Sequence, residues 1–97
     1  MTPHISVIIP AYNEEKLIGK CLSALTKQDY PHNLYEIILV DPNSTDQTNQ
    51  IAKNYPVKIV WLNHTPTIGS TRQAGVDIAR GEILAFVDSD IQVPNNW

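Results

Sequence analysis

The stretch Ile83-Leu84-Ala85-Phe86-Val87-Asp88-Ser89-Asp90 decides the fold. An apolar run ends in two carboxylates one residue apart. In an α/β sheet, a strand delivers acidic oxygens in this way to the rim where ligands bind.

Three further apolar runs stand upstream, at Ile5–Ile9, Glu36–Val40 and Val57–Leu62, all rich in β-branched residues. The first, second and fourth runs are nearly continuous in hydrophobicity, which predicts strands buried on both faces of a parallel sheet. Helical patterns separate them. Leu17, Ile18, Cys21, Leu22 and Leu25 recur at helical spacing after Asn13, which reads as an N-cap, with Glu14 and Glu15 at the positive end of the dipole. Tyr30-Pro31 breaks the chain. Ser44-Thr45-Asp46-Gln47 reads as a capping box opening a helix through about Asn54. A third helix is expected from about Ser70 to Ala79, stopped by Gly81. Strands alternating with helices mean βαβ units and right-handed crossovers. The expected fold class is α/β, a Rossmann-like parallel sheet of about four strands with flanking helices. No internal repeat, low-complexity stretch or linker interrupts it.

The bulk composition agrees. The 97 residues suffice for one small domain, and 42% hydrophobic with 18% charged residues is ordinary globular usage. A net charge of -3, with scattered Lys and Arg, gives no footprint for nucleic acid. No apolar stretch approaches the ~18 residues of a spanning helix, and Met1-Thr2-Pro3-His4 runs into a strand pattern without a signal peptide. Cys21 reads as a buried small hydrophobe, compatible with a reducing cytoplasm. Neither G-x-G-x-x-G nor a P-loop is present, which excludes dinucleotide and P-loop chemistry.

Polar groups collect after the strands. Pro10-Ala11-Tyr12-Asn13-Glu14 follows the first, Asp41-Pro42-Asn43-Ser44 the second and Asp88-Ser89-Asp90-Ile91-Gln92 the fourth. Asp88, Asp90 and Gln92 alternate in an expected extended segment, so their oxygens can project together. Oxygen-only donors suit Mg²⁺ or Mn²⁺, with the remaining positions left to water and a diphosphate. An EF-hand is excluded, because Val93 stands where its Gly belongs. Asp41 can serve the site or simply begin a turn, and Tyr12 can serve it or pack. Arg72 can meet a phosphate or a helix-face carboxylate. His4, His32 and His64 lack metal-ligand spacing and read as surface residues. Trp61 reads as core rather than as a stacking platform.

The segments Ser6–Glu15, Ile38–Asp46 and Arg80–Asp90, in this order and spacing, resemble glycosyltransferase family 2, nucleotide-sugar enzymes of the GT-A fold. The match covers nearly the whole chain. The resemblance implies that Pro10, Tyr12 and Glu14 line a nucleoside pocket and that Asp41 sits by the base or ribose. It places Arg72 near the donor, Asp88 and Ser89 on the ribose or sugar side, and Asp90 on a metal bridging the diphosphate. Gln92 matches the Asp-x-Asp-x-Gln pattern of polyprenyl-phosphate sugar transferases, where it adds an oxygen to the metal. Three positions depart from the family: Pro42 replaces a frequent base-reading Asp, Asn43 a frequent Gly, and Ile91 a third Asp. Pro42 leaves the choice between uridine and guanosine donors open.

The resemblance further implies that residues 1–97 are the donor-binding N-terminal part of a longer domain, truncated before the acceptor half. The general base of an inverting transfer is then expected beyond Trp97. The expected activity is metal-dependent transfer of a sugar from a nucleotide-diphospho-sugar to an acceptor hydroxyl or lipid phosphate, in polysaccharide biosynthesis. A non-catalytic nucleotide-sugar-binding or oligomerising module is the alternative. Uncovered apolar surface predicts a homo-oligomer. The expected location is the cytoplasm or the cytoplasmic face of a membrane.

Overall fold

The computed structural model describes residues 3–63 and 68–97. The strands are β1 (Ile5–Pro10), β2 (Tyr35–Asp41), β3 (Lys58–Trp61) and β4 (Ile83–Phe86), and the helices α1 (Ile18–Thr26), α2 (Thr48–Ala52) and α3 (Ile68–Ile78). All strand pairs are parallel, in the order β3-β2-β1-β4. The β-branched runs thus become strands as expected, joined by helical crossovers because parallel neighbours cannot be joined by hairpins.

Packing explains the alternation in the runs. Val7, Ile9, Ile37 and Leu39 point to one face, where Ile18, Cys21, Leu22 and Leu25 of α1 and Ala52 of α2 close over them. Ile8, Ile38 and Val40 point to the other, against Ala74, Val76 and Ala79. Gly75 permits that approach: a Cβ there would lie 2.6 Å from Ile8 Cγ2.

The connections from β1 to β3 run one way across the sheet, and the connection to β4 runs back past β1. With crossovers of one hand, this reversal puts α1 and α2 on one face and α3 on the other. The crevice between the carboxyl ends of β1 and β4 is therefore the topological switch point, the usual ligand position in such sheets.

Four expectations are corrected. β4 is an edge strand rather than one buried on both faces, with Ile83, Leu84 and Phe86 exposed. Trp61 is exposed at the opposite edge instead of joining the core. α1 begins at Ile18 with no side-chain cap, so Asn13 does not cap it and Glu14 and Glu15 lie outside its first turn. α2 begins at Thr48 and ends at Ala52, shorter than the expected helix from Ser44 to about Asn54. In both helices the side chains expected at the start are taken by a neighbouring loop. His4 and His32 are exposed as expected, and His64 lies outside the described residues.

At the amino-terminal ends of the strands, opposite the rim, Glu36 joins four segments. Its carboxylate accepts bonds from Ser6 Oγ, from Lys58 Nζ at 2.7 Å and from the Arg80 N–H at 2.7 Å. The Gly81 N–H donates to Ser6 Oγ at 2.8 Å. Gly81 needs no unusual φ. It is required because a Cβ would lie 2.6 Å from the Ser6 nitrogen. Helix α3 ends before it, so Gly81 marks the close passage into β4 rather than the helix stop itself.

Candidate functional site

The sheet brings the loops after β1, β2 and β4 to one rim. The first two are laced together. Ladder pairing continues through Ala11, whose N–H donates to the Val40 carbonyl at 2.9 Å. Beyond it, Asn13 (φ 52°) and Asn43 (φ 71°) both adopt left-handed backbone, at the same remove from the paired Pro10 and Val40. Asn is among the few residues that tolerate this region.

Side chains then cross between these loops. The Asn13 N–H donates to Ser44 Oγ at 2.9 Å, and the Thr45 N–H to Asn13 Oδ1 at 2.8 Å. The Glu14 N–H donates to Thr48 Oγ1 at 2.8 Å, and the Gln47 N–H to Glu15 Oε2 at 3.2 Å. Asp46 accepts from the Thr48 and Glu15 N–H groups, at 2.9 and 3.2 Å, and from the Thr48 hydroxyl. Burial alone would raise the Asp46 carboxyl, but these bonds hold it below its ordinary value. Asn13 and Ser44 carry the side-chain chemistry of helix caps; only the β1–β2 register shows that each faces the other loop.

Asp41 is fully buried. Its Oδ1 accepts from the Ser44 N–H at 2.7 Å, and its Oδ2 has no partner among the described residues. Pro42 beside it is buried, Pro10 and Glu14 are half-buried, and Tyr12 is exposed. The loops thus present Tyr12 outward while Asp41 braces the turn from below.

The acidic segment after β4 is a turn, closed by the Ile91 N–H on the Asp88 carbonyl at 3.1 Å. Val87, Ser89 and Val93 are buried, whereas Asp88 and Asp90 face solvent. The expected extended segment is therefore corrected. Asp88 and Asp90 alternate around buried Ser89, but the turn carries Gln92 away, to a recess of about 410 Å³ with Glu15, Lys16, Lys20 and Tyr55. Cys21 lies under this turn, its thiol 3.8 Å from the Asp88 carbonyl. Burial pushes that thiol up to about 11, with the Asp90 and Glu14 carboxylates adding to the rise.

From the opposite face, α3 supplies Arg72. Its Nη2 is 3.8 Å from Asp88 Oδ1, and its guanidinium carbon is 6.0 Å from the Phe86 ring centroid. The switch point thus holds a cation beside two exposed carboxylates. Among the described residues, no three His, Cys, Asp or Glu side chains form a self-contained metal cage. Two accessible carboxylates are nevertheless the donor set typical of Mg²⁺, which leaves its other positions to water and phosphate. The residues fit such an ion.

Comparison with known proteins decides the family. Residues 6–97 match the profile of Glycosyl transferase family 2. The chain belongs to this family. It is 38% identical to Glycosyltransferase AglE of Haloferax volcanii over 98% of this chain and 33% of that protein. It superposes on Staphylococcus aureus TarS 1-349 in complex with UDP with a TM-score of 0.91, at 38% identity, covering 96% of this chain and 29% of that one. For the mannosyltransferase PcManGT of Pyrobaculum calidifontis, in complex with GDP-Man and Mn²⁺, the TM-score is 0.86 at 29% identity, covering 93% and 28%. The chain thus spans about a third or less of the length of these family members. Among the described residues, no helix is long and apolar enough to cross a membrane.

Proposed function

We propose that this chain supplies the donor and metal site for transfer of a sugar from a nucleotide-diphospho-sugar to an acceptor hydroxyl or lipid phosphate. The observation that carries this reading is the turn of exposed Asp88 and Asp90, seated on buried Val87, Ser89 and Val93 beside Arg72 at the switch point. Pro10, Tyr12 and Glu14 would line the nucleoside side, with Asp41 beneath it. Arg72 would turn from Asp88 to the diphosphate, and Asp88 and Ser89 would face the ribose or sugar.

Asp90 would hold a Mg²⁺ or Mn²⁺ ion, with Gln92 as a further oxygen donor on rearrangement of the turn. When bound, such an ion neutralises the diphosphate and stabilises its departure as a Lewis acid. The chain's own part is to orient the donor, with the Arg72 guanidinium countering phosphate charge. Family neighbours crystallised with UDP and with GDP-Man and Mn²⁺ support the ligand class. The setting would be the cytoplasm or the cytoplasmic face of a membrane.

Calorimetric titration of UDP and GDP, with and without Mn²⁺, tests the reading. Mn²⁺ should tighten binding of at least one nucleotide, and Asp90→Ala should abolish that gain without lowering the melting temperature. Absence of binding by both nucleotides, or binding indifferent to Mn²⁺, would overturn it.

A further inference from the structure

We infer that Asn13 is a positioning residue that sets the width of the nucleoside cleft by clasping the loop after β1 to the loop after β2; the inference rests on the nucleotide-binding reading above. Asn13 follows Tyr12 directly, while its partners Ser44 and Thr45 follow Pro42 and Asn43. Both of its hydrogen-bonding ends are used on consecutive residues of the other loop. Its backbone N–H reaches Ser44 Oγ at 2.9 Å, and its side-chain Oδ1 accepts from the Thr45 N–H at 2.8 Å. Thr45 Oγ1 lies 3.4 Å from the same oxygen, and Ser44 Oγ reaches back to the Ala11 carbonyl at 3.4 Å. Two-point attachment fixes both separation and relative twist, which a single bond leaves free.

The residue type matters for two reasons at once. A φ of 52° suits Gly, Asn or Asp. Of these, only Asn and Asp carry an oxygen that can accept from Thr45. The ladder between β1 and β2 stops at Ala11, so this clasp is the link nearest Tyr12 and Pro42, with the Glu14–Thr48, Glu15–Asp46 and Gln47–Glu15 bonds lying farther along the loops. Asn13 would thus act on the donor through Tyr12 and Pro42, without touching it.

The substitutions separate backbone from acceptor. Asn13→Gly keeps the left-handed conformation and removes the oxygen, whereas Asn13→Asp keeps both. The measurements are amide exchange at Thr45, UDP affinity in the presence of Mn²⁺, and thermal melting. Asn13→Gly should speed Thr45 exchange about fivefold or more. It should weaken UDP binding about tenfold, the equivalent of one hydrogen bond's worth of ordering. Asn13→Asp should restore Thr45 protection and most of the affinity. Ser44→Ala tests the clasp from the other loop and should weaken UDP binding with an unchanged circular dichroism spectrum. Wild-type affinity in Asn13→Gly despite faster Thr45 exchange, or in Ser44→Ala, would overturn the inference. Failure of the wild-type chain to bind UDP or GDP would instead defeat the nucleotide reading, and this inference with it.

Discussion

Arg72 and Asp88 meet across the switch point from elements on opposite sides of the molecule, one on α3 and one beyond β4, with Nη2 and Oδ1 3.8 Å apart. Each remains partly open to solvent, so the pair adds little to stability. Arg72 Nε, by contrast, is buried without a partner among the described residues. A guanidinium held this loosely can exchange a carboxylate for a diphosphate. Arg72→Ala should therefore weaken UDP binding about ten- to a hundredfold, the scale of a charge-assisted contact. Its melting temperature should stay near that of the wild type. Calorimetry paired with thermal melting checks both outcomes.

Glu36 makes stability depend on acid. Burial alone would raise its carboxyl, but bonds from Lys58, Ser6 and the Arg80 N–H hold it below the ordinary value of 4.5. A carboxyl lowered in the folded state contributes stability that is present above its unfolded value and lost as pH falls through its folded one. Urea midpoints measured from pH 6 down to pH 3 should fall, and Glu36→Gln should flatten that slope. At neutral pH the substitution should cost roughly 2 kcal/mol, because Lys58 and the Arg80 N–H lose a charged acceptor.

Gly81 and Gly75 are predicted to be intolerant for steric reasons. A Cβ at Gly81 meets backbone, 2.6 Å from the Ser6 nitrogen and 2.7 Å from the Ile5 carbonyl carbon. At Gly75 it meets side-chain methyls, 2.6 Å from Ile8 and 3.1 Å from Val40. Methyls yield more easily than backbone. Gly75→Ala should cost about 1–3 kcal/mol, the usual penalty of overpacking. Gly81→Ala should cost more and displace the start of β4, as chemical denaturation and amide shifts at Ile83 and Leu84 would show.

Cys21 should report global unfolding. It is 1% exposed and packs among Ile18, Leu22 and Leu25 in the main core. In native buffer, a thiol reagent should modify it only through opening of that core. Labelling rates across a urea series should then track the unfolded fraction measured by circular dichroism. Rapid labelling without urea would show that the α1 face opens locally.

The sheet was legible because Ile5–Ile9 and Glu36–Val40 must satisfy two apolar faces, which leaves a nearly continuous apolar signature. The same signature misleads at Ile83–Phe86. Hydrophobicity records a need for cover, and cannot tell a central strand from one at the edge of the sheet that the described residues form. Trp61 fails for the same reason at the other edge. The rim was legible from the residues following each strand, while the arrangement on it was not. Asn13, Ser44 and Asp46 carry the chemistry of helix caps, and a long-range partner outcompeted the local one. The turn at Ser89-Asp90 was not legible, and it breaks the two-residue period that would carry Gln92 alongside Asp88 and Asp90. A further signal lies in Ser6 and Glu36, polar interruptions in two apolar runs that stand opposite each other in the β1–β2 register.

The strand order also governs the order of assembly. β1 precedes the other strands in the chain and has partners on both sides, whereas β4 follows both β2 and β3. While synthesis proceeds, β1 can pair with β2, and β2 with β3, while the other flank of β1 is still open. The two clasped loops can therefore form early, whereas the carboxylate turn waits for β4. Pairing between such distant parts of a chain is slow and leaves strands exposed to wrong partners. Until β4 is made, the flank of β1 that it covers stays open.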